Sequence, residues 1–191
     1  RLNNVLAFYK LYADETIRRN DSAHILDKWI LARLAELVKE ATEGYEKYQL
    51  DKAVRPLALL IDDLSVWYLR RSRGRIKEGG EDAKDALSTL RYVLHTLSRV
   101  IAPPMPFLAE HIFQAVKENR DEESVHLTNW PETSHPGFFR GLFKKRGGGI
   151  LDAMSDARAV VTQALEARDK AGIKVRQPLA SLSIPSSSKL T

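Results

Sequence analysis

The longest regular pattern in this sequence is a spacing of apolar residues that matches one face of an α-helix. It runs over residues 26–48 and recurs about every 3.6 residues for roughly six turns. A helix of this length buries one face and exposes the other, so it needs partners that carry apolar faces of their own. The pattern therefore predicts a protein whose core lies between packed helices.

Other segments repeat this spacing, and short polar or Pro/Gly-containing stretches separate them. They are residues 2–13, 51–74, 81–101, 107–117 and 150–171. Asp51 is a candidate helix cap, Gly44 is expected to weaken the helix before it, and Pro56 is expected to kink the helix after it. Apolar residues alternate over residues 175–184, which predicts a strand. The predicted fold class is mainly α: an antiparallel helical bundle followed by one helix and one strand.

Composition limits the classes of protein that this chain can belong to. Its 191 residues, 43% of them hydrophobic, suffice for a sizeable core. The sequence has no cysteine, so it cannot form disulfides or cysteine-ligated zinc sites, and it fits a reducing compartment. No apolar run approaches the roughly 20 residues that span a membrane, and no membrane partner is expected. The chain begins with Arg1 in a segment that already has helical spacing, so we expect a piece of a longer protein.

Motifs for catalysis or metal binding are scarce. The sequence lacks the phosphate-binding loop, the dinucleotide fingerprint and the HExxH zinc motif, and its five histidines are scattered. Asp62 and Asp63 are adjacent, but neighbours on a helix point about 100° apart and cannot converge as an acid–base pair. We expect them to face solvent or to pair with nearby arginines. No catalytic residue and no metal site is predicted.

Residues 62–77, DDLSVWYLRRSRGRIK, contain the most distinctive cluster. Five cations fall within eight residues: Arg70, Arg71, Arg73, Arg75 and Lys77. The first, third and fifth of these share one helical face, and the other two share the adjoining face. Guanidinium groups bind phosphate through paired hydrogen bonds and stack on bases. Cations also suit a helix C-terminus, but five exceed what capping needs, so the cluster favours a polyanion-binding surface.

Trp67 and Tyr68 lie just before these cations, at helical spacing with Leu64. This spacing fits two interpretations, a place in the core or a platform on which bases stack, and the core is the commoner outcome.

Six segments, in order along nearly the whole chain, resemble class I aminoacyl-tRNA synthetases, and isoleucyl-tRNA synthetases most closely. Residues 62–77 resemble the family's D-L-S-x-W-Y-x-R-R-S-R-x-R helix. The other segments are LDKWILARLAELV (26–38), YQLDKAVRPL (48–57), SRVIAPPMPFLAEHIF (98–113), SVHLTNWPE (124–132) and ARDKAGIKVRQPLASLSI (167–184). The last favours the isoleucine enzymes over the valine and leucine enzymes, which share the bundle.

The resemblance implies a function for the fragment and another for its parent. Residues 1–136 would be the helical bundle that holds the anticodon stem-loop of tRNA. Residues 137–191 would be a helix plus the first strand of a C-terminal junction region. The parent would join isoleucine to its tRNA with ATP and magnesium, as a cytoplasmic monomer whose catalytic domain contacts the bundle in cis. The family's catalytic signatures, H-I-G-H and K-M-S-K-S, are absent here, so no cofactor is expected in this fragment.

The resemblance also suggests tRNA-binding residues. The five cations would meet the backbone of the anticodon stem, and Asn4, Tyr9 and Trp67 would contact loop bases. LNNVLAF matches a frequent L-W-N-x-x-x-F motif in Asn4 and Phe8 but has Asn3 in place of Trp. Two alternatives stay open: the equivalent domain of a valyl- or leucyl-tRNA synthetase, and a helical module whose basic face binds an acidic protein or the parent's own catalytic domain.

Overall fold

The structure is a computed structural model that describes residues 1–13, 22–132, 149–181 and 183. The chain divides into two compact units, Arg1–Arg140 and Gly141–Thr191. The boundary that the sequence predicts after residue 136 lies outside the described residues.

Helices make up nearly all the regular structure of the described residues, which confirms the mainly α bundle. In the first unit they are α1 (Leu2–Tyr12), α2 (Ile25–Glu46), α3 (Leu50–Asp62), a π-helical segment (Asp63–Leu69), α4 (Arg70–Glu78), α5 (Gly80–Ile101), α6 (Pro106–Val116) and a 3₁₀ turn (Val125–Leu127). The second unit contains α7 (Ile150–Lys170). None of the described helices is both long and apolar enough to cross a membrane.

The core of the first unit lies around α2 and α5, which pack against each other; α2 also packs on α3, and α5 on α4 and α6. The side chains that point into it are apolar and almost wholly buried. They include Trp29, Ile30, Leu34, Leu90, Leu94, Leu97 and Phe113. Burying each such side chain stabilises the fold by about 1.5–3 kcal/mol, so this core is the main source of the unit's stability.

Gly44 lies where α2 and α3 approach each other closely. A Cβ atom at this position would lie 2.6 Å from the backbone nitrogen of Ala53 and 2.8 Å from its Cα. The glycine is therefore the point of contact between two helices rather than merely a weak place in one of them.

The helical path continues from α3 into α4 without a loop. It passes Pro56, where the helix does not end, and then forms the π-helical segment, whose hydrogen bonds span one residue more than those of an α-helix. Gly79 and Gly80, with φ of 78° and 81°, reverse the chain into α5. Such positive φ values suit glycine because it has no Cβ.

The connection after α6 packs back onto the bundle. Glu110 accepts hydrogen bonds from the hydroxyl of Ser124 at 2.9 Å and the backbone of Val125 at 3.0 Å. Trp130 donates its indole N–H to the hydroxyl of Thr42 at 2.8 Å, with its ring edge-on to Tyr45. These contacts hold a polar connection in place.

The second unit differs from prediction at its end. The strand predicted for residues 175–184 is not formed in the described part, residues 175–181 and 183, so that prediction is wrong there. The physical reason lies in Arg168. Its guanidinium donates hydrogen bonds to the backbone carbonyls of Lys174, Val175 and Gln177. Carbonyls engaged in this way are not free to pair with a neighbouring strand.

Candidate nucleic-acid interface

The outer side of α4 presents four exposed cations, Arg70, Arg71, Arg73 and Lys77, which we name the cationic face. Its inner side is fixed by Ser72 and Ile76, spaced four residues apart, with exposures of 0% and 3%. Within the described part of the chain, no carboxylate lies at ion-pair distance from any of these four cations. The cationic face is therefore free to meet a polyanion.

Arg75 does not belong to this face, although the sequence groups it with the others. Its side chain is 10% exposed and donates to the fully buried carboxylate of Asp27 on α2. A second hydrogen bond, of 2.9 Å, joins it to Asp82 on α5. Arg75 thus ties α4 to two core helices and is not presented to a ligand. One signal was available: position 75 is seven residues after Tyr68, which places both on one side of a helix.

The carboxylate of Asp27 accepts hydrogen bonds from three side chains. Tyr68 donates its hydroxyl to Oδ1 at 2.7 Å, Ser22 donates to Oδ2 at 2.6 Å, and Arg75 supplies the compensating charge. Burial, reinforced by Asp27, raises the pKa of Tyr68 well above its usual value. Burial acts against the charge of Arg75, but hydrogen bonding and attraction from Asp27 outweigh it, so the pKa of Arg75 is raised. Tyr68 therefore stays a donor and Arg75 a cation.

Asp62 and Asp63 diverge, as expected for neighbours on a helix. Asp63 is buried and accepts a 2.8 Å hydrogen bond from Arg33 of α2, whereas Asp62 pairs with Arg1 at the surface. The two carboxylates do not face each other, as the members of a catalytic acid–base pair would. Among the described residues, no group of three or more histidine, cysteine, aspartate or glutamate side chains could hold a metal ion.

Aromatic rings lie under two guanidiniums of the cationic face. The guanidinium of Arg71 is 4.0 Å from the ring centre of the half-buried Trp67, and that of Arg73 is 5.6 Å from the ring centre of Phe8. Phe8 also contacts Tyr12, with ring centres 4.7 Å apart and ring planes tilted by 40°. A guanidinium held over a ring keeps its N–H edge free to donate to phosphate.

The remaining predicted contacts lie on α1. Asn4 is exposed, one turn before Phe8, so it stays a candidate for base contact. Tyr9 is only 6% exposed and belongs to the core, so its ring is not offered to a base. Phe8 and Tyr12 were missed, although their spacing of four and eight residues from Asn4 places all three on one helical face.

The sequence matches the family described as the anticodon-binding domain of tRNA ligase over residues 27–184. This match covers most of the chain, so the chain belongs to that family.

Proteins similar to this chain include isoleucine–tRNA ligases. Those of Chlamydia caviae and Chlamydia trachomatis serovar D are each 38% identical over 96% of this chain, and that of Chlamydia pneumoniae is 38% identical over 94%. The chain spans only 18%, 18% and 17% of the lengths of these relatives. The resemblance to the anticodon-binding part of isoleucyl-tRNA synthetases is thereby confirmed.

Proposed function

We propose that this chain binds the anticodon stem-loop of an isoleucine tRNA, as the anticodon-binding part of an isoleucine–tRNA ligase. The cationic face is the observation that carries the proposal. It places four cations on one exposed side of α4, without carboxylate partners in the described part of the chain.

The cationic face would bind phosphates of the anticodon stem. Each phosphate that a lysine or arginine neutralises releases counterions, so the resulting affinity depends on salt. The rings beneath Arg71 and Arg73 hold these two long side chains in place, which lowers the entropy that binding must remove. Phosphate contacts of this kind position the RNA but do not read its sequence.

Sequence reading would fall to groups beside the cationic face. Specific recognition of RNA targets unpaired loop bases, through stacking on aromatic rings and hydrogen bonds to base edges. Asn4 offers an exposed amide, and Phe8 and Trp67 offer partly exposed rings. Tyr9 is excluded from this role by its burial.

The parent would perform the remaining steps. It would join isoleucine to the tRNA with ATP and magnesium, as a cytoplasmic monomer, with the catalytic domain contacting this bundle in cis. Both catalytic signatures of the family are absent from this sequence, so the chain itself contributes binding and not catalysis.

The test is a titration of the chain with an isoleucine tRNA at several salt concentrations. Replacing Arg70 and Arg73 together by alanine should weaken binding and lower the slope of log affinity against log salt by about two. Replacing the exposed Lys39 and Lys52 by alanine removes the same charge from α2 and α3 and serves as the control. A slope that is equal in both variants would refute the assignment of the cationic face.

Competing tRNAs test the specificity. Tighter binding to an isoleucine tRNA than to its anticodon-substituted copy, or to valine and leucine tRNAs, is expected if these residues read the anticodon. No binding to any tRNA at low salt would instead favour a module that docks on the parent's catalytic domain.

A further inference from the structure

The turn after α7 is held in shape by hydrogen bonds from the side chain of one arginine, Arg168. The Nη2 atom of Arg168 donates to the carbonyl of Lys174 at 2.6 Å, to that of Val175 at 3.2 Å and to that of Gln177. The backbone N–H of Gln177 also donates to the carbonyl of Lys174 at 3.0 Å. Residues 174–177 are therefore fixed in shape although they are exposed.

This arrangement directs two backbone N–H groups outward. In a trans peptide the C=O of one residue and the N–H of the next point in opposite directions, and no described peptide bond is cis. Because the carbonyls of Lys174 and Val175 point toward Arg168, the N–H groups of Val175 and Arg176 point away from it. Within the described part of the chain, neither N–H donates to an acceptor. Pro178 adds no further donor.

Two cations flank these amides. Lys174 and Arg176 are both exposed, and among the described residues neither has a carboxylate at ion-pair distance. The helix dipole does not explain them, because the last turn of α7 already carries Arg168 and Lys170. The turn thus combines two outward amides with an ammonium and a guanidinium.

We propose that residues 174–177 form a second phosphate-binding site for the backbone of the tRNA, with Arg168 as the residue that positions it. The site rests on the proposed function and extends it to the second unit. Phosphate is the ligand that fits, because its several oxygens can accept from adjacent amides and a guanidinium fork at once. A nucleic acid carries such groups at every nucleotide, so the tRNA of the proposed function supplies the ligand that this site needs.

The first experiment observes the amides directly. The ¹⁵N-labelled chain is titrated with an anticodon stem-loop hairpin while backbone amide signals are followed by NMR. The amides of Val175 and Arg176 should move in step with those of residues 70–77. Movement of residues 70–77 alone would overturn this inference and leave the proposed function standing. Inorganic phosphate that shifts both amides while the hairpin leaves them unmoved would also overturn it.

The second experiment measures salt dependence. Replacing Lys174 and Arg176 together by alanine should lower the salt slope for tRNA binding by about two and weaken binding several-fold per contact. The Lys39/Lys52 double variant is again the charge-matched control. A slope that falls only in this turn variant, and not in the Arg70/Arg73 variant, would support this site and refute the cationic face. The reverse result would refute this site alone.

Arg168→Gln separates positioning from charge at the site. The variant keeps Lys174 and Arg176 but removes the donor that orients the carbonyls. Weaker tRNA binding is expected, together with loss of the hairpin-induced shifts at the amides of residues 175 and 176. Unchanged shifts would show that Arg168 does not position the turn.

Discussion

The guanidinium of Arg75 donates to the carboxylate of Asp27, 48 residues earlier in the chain, and so joins α4 to α2 in the core. Removing one partner of a buried ion pair leaves the other charge unpaired, which costs about 3–5 kcal/mol. Arg75→Leu should lower the free energy of unfolding by about that amount, measured in urea by tryptophan fluorescence.

Arg70→Leu is the matched control, because the same change at an exposed position without such a partner should stay within about 0.5 kcal/mol. If both variants lost the same stability, the separation of Arg75 from the cationic face would be wrong.

Tyr68 should make the stability of the first unit fall at high pH. Its pKa is raised by burial and by Asp27, so its contribution is fully present below the ordinary tyrosine pKa of about 10 and is lost as pH rises through the raised value. Tyr68→Phe should cost about 1–3 kcal/mol at neutral pH, because Asp27 loses a donor. In an absorbance titration of the folded protein, wild type and Tyr68→Phe should gain the same phenolate signal up to about pH 11. An extra phenolate in the wild type would contradict the shift.

Two glycine substitutions should act in opposite directions. Gly44→Ala places a Cβ 2.6 Å from the backbone of Ala53, and such overpacking typically costs about 1–3 kcal/mol. Gly74→Ala, at an exposed position where the nearest atom is Glu78 Oε1 at 4.0 Å, should stabilise α4 by up to about 1 kcal/mol. Thermal unfolding of the two variants tests this. A Tm of Gly74→Ala below that of the wild type would contradict the predicted stabilisation of α4.

Phe8 should contribute to tRNA affinity without changing its salt dependence. Phe8→Leu removes the ring beneath Arg73 but leaves the cation. Binding must then immobilise a freer arginine side chain, which costs about 0.5–1.5 kcal/mol, or roughly two- to twelvefold in affinity. Phe107→Leu, at a phenylalanine that is 91% exposed on α6, is the matched control and should bind as wild type. A reduced salt slope in Phe8→Leu would mean that the ring is needed for the phosphate contact itself.

Spacing alone predicted the long helices closely. The helix predicted for residues 26–48 corresponds to α2, Ile25–Glu46, and the helix predicted for residues 81–101 corresponds to α5, Gly80–Ile101. Each has one continuous apolar face that packing buries, which is why the spacing predicted it well. The strand prediction failed because four alternating residues are a weak signal, and the contacts of Arg168 decide the backbone there.

The candidate site was predicted as a cluster but not residue by residue. The direction of Arg75 depends on Asp27, and no local pattern connects two residues so far apart in sequence. Tyr9 and Trp67 are both aromatic residues at helical spacing, yet one is 6% exposed and the other half-buried, because different helices pack over them. A template of 3.6 residues per turn also cannot reveal the π-helical segment.

That segment lets the helical path hold one residue more than an uninterrupted α-helix would, without turning α4 away from the core. Deleting one residue within residues 63–69 would therefore be absorbed by relaxation to α-helix, and the cationic face would keep its direction. The same deletion between Arg70 and Arg75 has no wide turn to absorb it, so it would rotate Arg75 by about 100° and take it away from Asp27. Tolerance to a change in length is thus confined to one stretch of this helical path, and relatives that differ by one residue there can present the same surface.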